Sequence, residues 1–457
     1  MSTPIDRIIE ALDRRVAIAT ESQAGNCREN MLHYLNAEII PELTAAGFTA
    51  AVHENPKSTE HPLLVAQRIE SPDLPTVLLY GHADVQFAHP EQWRSGLDPW
   101  KLTREGDRLY GRGSADNKGQ HTVNHVALAD TIAAAPDNRL GYNVTVLLET
   151  AEESGSLGLR AFAEANRDLL AADLFIGSDG PRYAADAPTI FLGSRGCATF
   201  DLVCDLREGG NHSGNWGGKL RNPATVIAAA INALVDGTGR IRPAALRPGR
   251  IPDSVRATID ALPDLPPAPD DPAVDPTWGE PGLTPDEKVL GFNVLEVLAF
   301  TAGDPDAPVN AIPGSARAVI QLRYVVGTDD TDLAGAVRRA LADAGITGVE
   351  VSAGEQMNAT RLDPEAPAAR AAARAVRTAS GTDAAIEPNL GGTIPNDVFA
   401  EVLNLPTVWL PHSYPGCNQH APNEHALVSI LESGYAIMRE VFADLSRNPA
   451  DWFGDRA

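Results

Sequence analysis

The sequence predicts an α/β protein in which a mostly parallel sheet is covered by helices and a smaller α+β domain is inserted into it. Three observations lead there. Short apolar runs alternate with helical stretches in the first and last parts of the chain, as in β-α-β units. The middle part instead carries strands of alternating polar and apolar residues, the signature of half-exposed antiparallel sheet. His and carboxylate residues also gather just past the short apolar runs, where open α/β sheets collect ligands.

In chain order, residues 3–47 read as two helices with Ile8, Ile9 and Leu12 on one face. Val77-Leu-Leu-Tyr80, Val144-Thr-Val-Leu-Leu148, Leu174-Phe-Ile176 and Val408-Trp-Leu410 read as buried strands, with helices over 119–135 and 156–172. The texture changes near Thr189. Phe200-Asp-Leu-Val-Cys-Asp-Leu206 and Ala316-Arg-Ala-Val-Ile-Gln-Leu-Arg-Tyr324 read as antiparallel strands, and 223–234 and 332–344 as helices. The Pro- and Asp-rich stretch 263–285 reads as a long surface loop that either trims a pocket or decorates the surface. An Ala-rich helix over 366–380 marks the return of the first texture. A chain of 457 residues exceeds one ordinary core. The expected division is therefore a first domain made of 1–193 and 354–457, with 194–353 inserted.

A formal net charge of −24 argues against nucleic acid and against anionic membrane as partners, and suits cation binding. The four cysteines show no paired spacing and read as reduced thiols. The charged, amphipathic start lacks a signal-peptide core, and no run approaches the ~20 apolar residues of a membrane span. The expected location is the cytoplasm.

The chemistry lies in His82-Ala-Asp84, in Asp116 within Gly-Arg-Gly-Ser-Ala-Asp-Asn-Lys-Gly, in Glu152-Glu153 and in Ser178-Asp179. Charged groups beside apolar runs are costly to desolvate unless paired or bound to metal. One His, one Asp, a Glu pair and another Asp are the donors a two-metal hydrolytic site requires.

These motifs, with the late His420-Ala-Pro-Asn-Glu424, resemble the M20 family of zinc aminoacyl-hydrolases, most closely its cytosolic non-specific dipeptidase and carnosinase-like branch. The resemblance covers nearly the whole chain, with five motifs in the family's order. It implies two divalent ions per subunit, zinc being the family's usual metal and manganese or cobalt also compatible with such ligands. His82, Asp116 and Asp179 would hold one ion, and Asp116, Glu153 and His420 the other. A shared Asp116 would set the ions about 3.5–4 Å apart. The resemblance favours His420 over His412 and His425: His425 is expected at a helix start or the surface, and His412 in a loop near the site. Asp84 would orient His82, and the peptide bond after Asp116 would be cis.

Glu152 would be the general base for a metal-bridging water that attacks the amide of a dipeptide or small peptide. His212 would reach into the partner subunit's site and stabilise the oxyanion, which implies a homodimer. Gly-Gly-Asn stands before His212 where that branch usually has an acidic residue. Arg323, after Asn310-Ala-Ile-Pro, would clamp a substrate carboxylate, and Gly392 and Thr393 would contact the substrate's C-terminal end. Asn310 would contact the substrate with them. The alternative substrate class is N-acyl or N-carbamoyl amino acids, cleaved by the same attack on an amide carbonyl. A fold-retaining binding protein without catalysis would have lost the base or a ligand; both are kept.

Overall fold

The computed structural model describes residues 2–266 and 272–454. They form two compact units: Met1–Gly193 with Ala261–Pro266 and Leu362–Ala457, and Ser194–Asp260 with Pro267–Arg361.

The first unit is built on an eight-stranded sheet. Its order is Thr49–Asn55, Ser58–Arg68, Asn143–Glu149, Thr76–His82, Leu174–Gly177, Thr407–Trp409, Thr189–Phe191 and Ala385–Glu387. The pairs that carry the functional residues are parallel: Thr76–His82 lies between Asn143–Glu149 and Leu174–Gly177, with His82 opposite Glu149. Antiparallel pairs lie toward the Thr49–Asn55 edge, and one joins Trp409 to Phe191.

The central strands read as continuous apolar runs because both faces are covered. Val77 and Leu79 pack with the helices Pro4–Val16, Lys118–Ala134 and Val428–Arg447, while Leu78 and Tyr80 turn to Phe175, Phe399 and Trp409. The first helix is set by its start: Thr3 and Asp6 form a capping box before Pro4, and Ile8, Leu12 and Val16 supply the buried stripe. Gly177 allows the last parallel strand to close up, since a Cβ there would lie 2.5 Å from the Trp409 ring.

The second unit has a four-stranded antiparallel sheet in the order Val294–Thr301, Ser315–Tyr324, Gly196–Asp205 and Glu350–Met357. Alternate residues such as Phe200, Leu202, Ile320 and Leu322 form a core with the helices Pro223–Leu234 and Leu333–Asp343. The edge strand Val294–Thr301 leaves Val297, Leu298 and Phe300 exposed.

Two segments depart from the reading of the sequence. The helix expected over 156–172 is reduced to Leu159–Ala165, because Gly155, Ser156 and Gly158 all take positive φ and turn the chain before it can start. Part of the loop expected over 263–285 lies outside the described residues. Of the rest, Val274, Trp278 and Leu283 line a cavity of about 480 Å³ within the second unit, and Pro285 opens the helix Pro285–Leu290. All four cysteines are unpaired. Among the described residues no helix is long and apolar enough to cross a membrane.

A partly buried ion pair ties the first helix to the chain that follows it. Arg15, fully buried, donates to Glu42 at 2.7 Å. Burial alone would raise the Glu42 pKa, but Arg15 and then His125 hold it at about 2, below the ordinary 4.5. A carboxylate held below its unfolded value contributes stability above the unfolded pKa and loses it as pH falls toward the folded one. A contribution on the order of 3 kcal/mol is thus expected above pH ~5, declining toward pH ~2. Urea titration of Glu42→Gln should show that loss at neutral pH and a flatter acid limb; parallel wild-type and variant pH profiles would refute it.

Candidate metal centre

His82, the Glu152–Glu153 pair and Asp179 come from the C-terminal ends of three parallel strands, and Asp116 and His420 from two further loops. His82 ends the strand Thr76–His82, and Glu152 and Glu153 sit on a single helical turn just past Asn143–Glu149. Asp179 lies two residues past Leu174–Gly177, and Asp116 precedes the helix Lys118–Ala134. His420 is presented from a loop in which Asn418, His420 and Asn423 all take positive φ. That conformation is unfavourable for a histidine and is typically kept where position matters. The Asp116–Asn117 peptide is cis.

Among the described residues two groups have donor atoms within 4.8 Å of one another: His82, Asp116 and Asp179; and Asp116, Glu153 and His420. Asp116 turns one oxygen to each. Its Oδ1 is 3.0 Å from His82 Nε2, and its Oδ2 is 2.9 Å from His420 Nε2. Asp179 Oδ2 is 3.8 Å from His82 Nε2, and Glu153 Oε2 is 3.2 Å from His420 Nε2. His82, Asp116 and Asp179 are buried, while His420 is exposed.

The electrostatics describe a site short of positive charge. Burial, together with the neighbouring carboxylates, pushes Glu153 to about 7 and Asp179 to about 6, and raises Glu152 well above its ordinary value. Burial would also raise Asp116, but His420 and His82 outweigh it and hold Asp116 low. The histidines answer in kind: Asp116 and Glu153 raise His420 to about 11. Bringing cations into these clusters would let the carboxylates ionise. A mixed set of imidazole and carboxylate donors, three to each cluster with one shared, fits two divalent ions with room left for substrate.

The supports were only partly visible in the sequence. His82 Nδ1 faces the backbone carbonyl of Asp84 at 3.1 Å and its carboxylate at 3.4 Å. That carboxylate also accepts the amides of Glu152 and Glu153, at 3.2 and 3.0 Å. Asp84 therefore aligns the acidic turn as well as the imidazole. Glu149, raised to about 7 by burial, accepts the hydroxyls of Tyr80 and Ser156 at 2.7 and 3.0 Å and braces the same turn.

Glu424, in the same late motif as His420, accepts the amides of Gly113, Ala115 and Asp116, together with the Arg112 guanidinium at 2.6 Å. Gly119 permits this loop to fold back on the following helix, since a Cβ there would lie 2.0 Å from the Ser114 carbonyl oxygen. His412 is a loop residue, buried against Asn124 and Ser178, as expected. His425 corrects the reading of the sequence: it is buried on the short strand His425–Leu427, 2.6 Å from the Tyr414 hydroxyl, because that strand pairs with Arg108–Tyr110.

Gly392 and Thr393 lie in the first unit, the former exposed and the latter half-buried. The second unit brings His212 and Asn310 together. Asn211–His212 pairs with Ala311–Ile312, and Ser213 donates its amide to the Asn310 carbonyl at 2.9 Å. The exposed His212 ring packs over Gly214, where a Cβ would come within 3.0 Å of it. Arg323 lies on Ser315–Tyr324, with its Nε 3.0 Å from Gln321 Oε1. Arg195, which no motif marks, has its pKa lowered to about 10 by burial first and then by the neighbouring Arg323.

The sequence pattern of peptidase family M20/M25/M40 matches residues 78–444. The chain belongs to this family. Similar proteins include a cysteinylglycine-S-conjugate dipeptidase of Corynebacterium striatum, 29% identical over 347 residues, which are 71% of this chain and 70% of that one. A Beta-Ala-His dipeptidase of Mus musculus is 34% identical over 183 residues, 39% of this chain and 36% of its own length. The fold matches the crystal structure of an M20 family metallo-carboxypeptidase from Sulfolobus solfataricus. The TM-score is 0.81 at 24% identity, covering 98% of this chain and 100% of that one.

Proposed function

We propose that this M20 family member is a dinuclear metal-dependent dipeptidase, with zinc as its working metal, that acts in the cytoplasm as a homodimer. The observation that carries this reading is the pair of donor clusters sharing Asp116, one oxygen to each. The dipeptidase names of the relatives support the substrate class.

His82, Asp116 and Asp179 would hold one ion, and Asp116, Glu153 and His420 the other. When bound, two such ions supply a nucleophile at neutral pH and polarise the scissile carbonyl. Glu152 takes up the proton released in the attack and hands it to the leaving amine. Asp84 holds the Glu152–Glu153 turn, so that one carboxylate stays with a ligand cluster while the other remains available for the proton. Arg323, with Arg195 nearby, supplies the positive charge that a substrate's terminal carboxylate needs. Asn310, Gly392 and Thr393 complete the substrate contacts.

The dimer is supported by the exposed edge strand Val294–Thr301. A second copy pairing along it would cover Val297, Leu298 and Phe300. His212 then acts across the interface as an oxyanion donor. His212→Ala is expected to lower kcat by about 100-fold with a much smaller change in KM. Steady-state kinetics showing both unchanged would remove His212 from the reaction.

The deciding experiment is hydrolysis of dipeptides and N-acyl amino acids by metal-stripped protein, before and after addition of zinc or manganese. Metal-dependent release of amino acids from dipeptides alone is expected. Activity confined to acylated amino acids would overturn the dipeptidase reading.

A further inference from the structure

Three arginines of the first unit are almost fully buried, and one of them differs from the others. Arg15 is matched by Glu42 and Arg112 by Glu424. Arg182, 3% exposed, has no such partner among the described residues. Its side chain donates only to neutral oxygens: Nε to the Pro411 carbonyl and Nη2 to Ser433 Oγ, both at 3.3 Å. Burial with no acid to offset it draws its pKa down to about 10. His412 next to it is held at about 3, by burial first and then by the Arg182 charge. A buried guanidinium without a counter-charge is unfavourable, and it is stabilised when an anion reaches it.

Arg182 also lines a cavity of about 500 Å³, within the usual range for small-molecule sites. Ser380, Thr382, Ser429, Ser433 and Asp186 also line it. The Ser429 hydroxyl is engaged by Asp107 at 2.6 Å. Ser433 Oγ accepts from Arg182, which leaves its own proton for a ligand. Asp186 is exposed on the wall, a partner for an ammonium group.

We propose that this cavity binds a free α-amino acid, its carboxylate on Arg182 and Ser433 and its ammonium toward Asp186. The guanidinium fork matches a carboxylate, and the acid on the wall favours a zwitterion over a simple anion. The site connects to the metal centre through the backbone. The Arg182 amide donates to the Ser413 carbonyl at 2.9 Å, Ser413 Oγ donates to the Gly180 carbonyl at 3.1 Å, and the Gly180 amide donates to Asp179 Oδ1 at 2.7 Å. Amino acids are also what dipeptide cleavage releases, so the site would sense product. That consequence rests on the proposed function, whereas the binding does not.

The test uses the full-length, metal-stripped protein, which separates it from any failure of catalysis. Glycine, acetate and inorganic phosphate are titrated at constant ionic strength, followed by calorimetry and by the thermal unfolding midpoint. Saturable glycine binding is expected, with weaker acetate binding. Ser433→Ala should weaken both by about tenfold. Asp186→Asn should weaken glycine and leave acetate unchanged, and Arg182→Met should abolish both. Phosphate binding through Arg182 without glycine binding would overturn the amino-acid assignment. Equal glycine binding in wild type and Ser433→Ala, or no saturable glycine response at all, would overturn the site; neither outcome depends on Arg182→Met folding.

Discussion

Glu152→Gln is expected to lower kcat on a dipeptide by about 10³-fold while the protein keeps both metal equivalents. The Glu152 carboxylate belongs to neither donor cluster and makes no hydrogen bond to another described residue. Its backbone amide is nevertheless fixed by Asp84, so the side chain has a defined origin. Burial raises its pKa; His82 offsets part of that, and Asp179, Glu153 and Asp116 add to it. An unligated carboxylate on a fixed turn beside two clusters of ligands is placed to take up a proton once cations in those clusters keep it ionised. Gln keeps the size and removes only the proton acceptor. Metal content and kcat measured on one preparation decide the matter. A variant that loses one metal equivalent would show that Glu152 is a ligand and that its role has been exchanged with Glu153.

His82, Asp179 and the Glu152–Glu153 pair were legible in the sequence because each sits just past an apolar run, and parallel sheets deliver strand ends to one place. His82 and Asp179 needed only that rule. His420 did not follow from periodicity: its loop belongs to no strand end, and only its motif marked it. The supports were hidden for a different reason. Asp84 lies two residues from His82, which pointed to the imidazole, but its oxygens also serve the amides of Glu152 and Glu153, contacts that no local spacing reveals. The helix expected over 156–172 rests on its Ala- and Leu-rich run, whereas the turn-forming Gly155 and Gly158 delay its start to Leu159. In the second unit the alternation of Ser315–Tyr324 was plain, whereas the nearness of Arg195 to Arg323 depends on how strands pair.

The largest effect on the metal centre without touching a ligand is expected from Glu424→Gln. Glu424 is fully buried, and its two oxygens gather the amides of Gly113, Ala115 and Asp116 with the Arg112 guanidinium. Arg112 in turn donates to the carbonyls of Phe87 and Ala421, at 3.0 and 3.3 Å. One ion pair therefore joins the segment after His82, the loop of Asp116 and the loop of His420. Gln keeps the shape but cannot neutralise Arg112, and its amide nitrogen cannot accept from the backbone. Breaking such a pair while leaving one charge buried costs about 3–5 kcal/mol. Loss of support behind metal ligands typically costs 10–100-fold in affinity. Competitive chelator titration should show metal affinity lowered by about that factor, and thermal unfolding of the metal-free variant should show the lost stability. The two readouts separate the roles. If stability falls while affinity for both metals holds, the pair only anchors the loops. If affinity falls as well, Glu424 sets the position from which Asp116 faces both clusters.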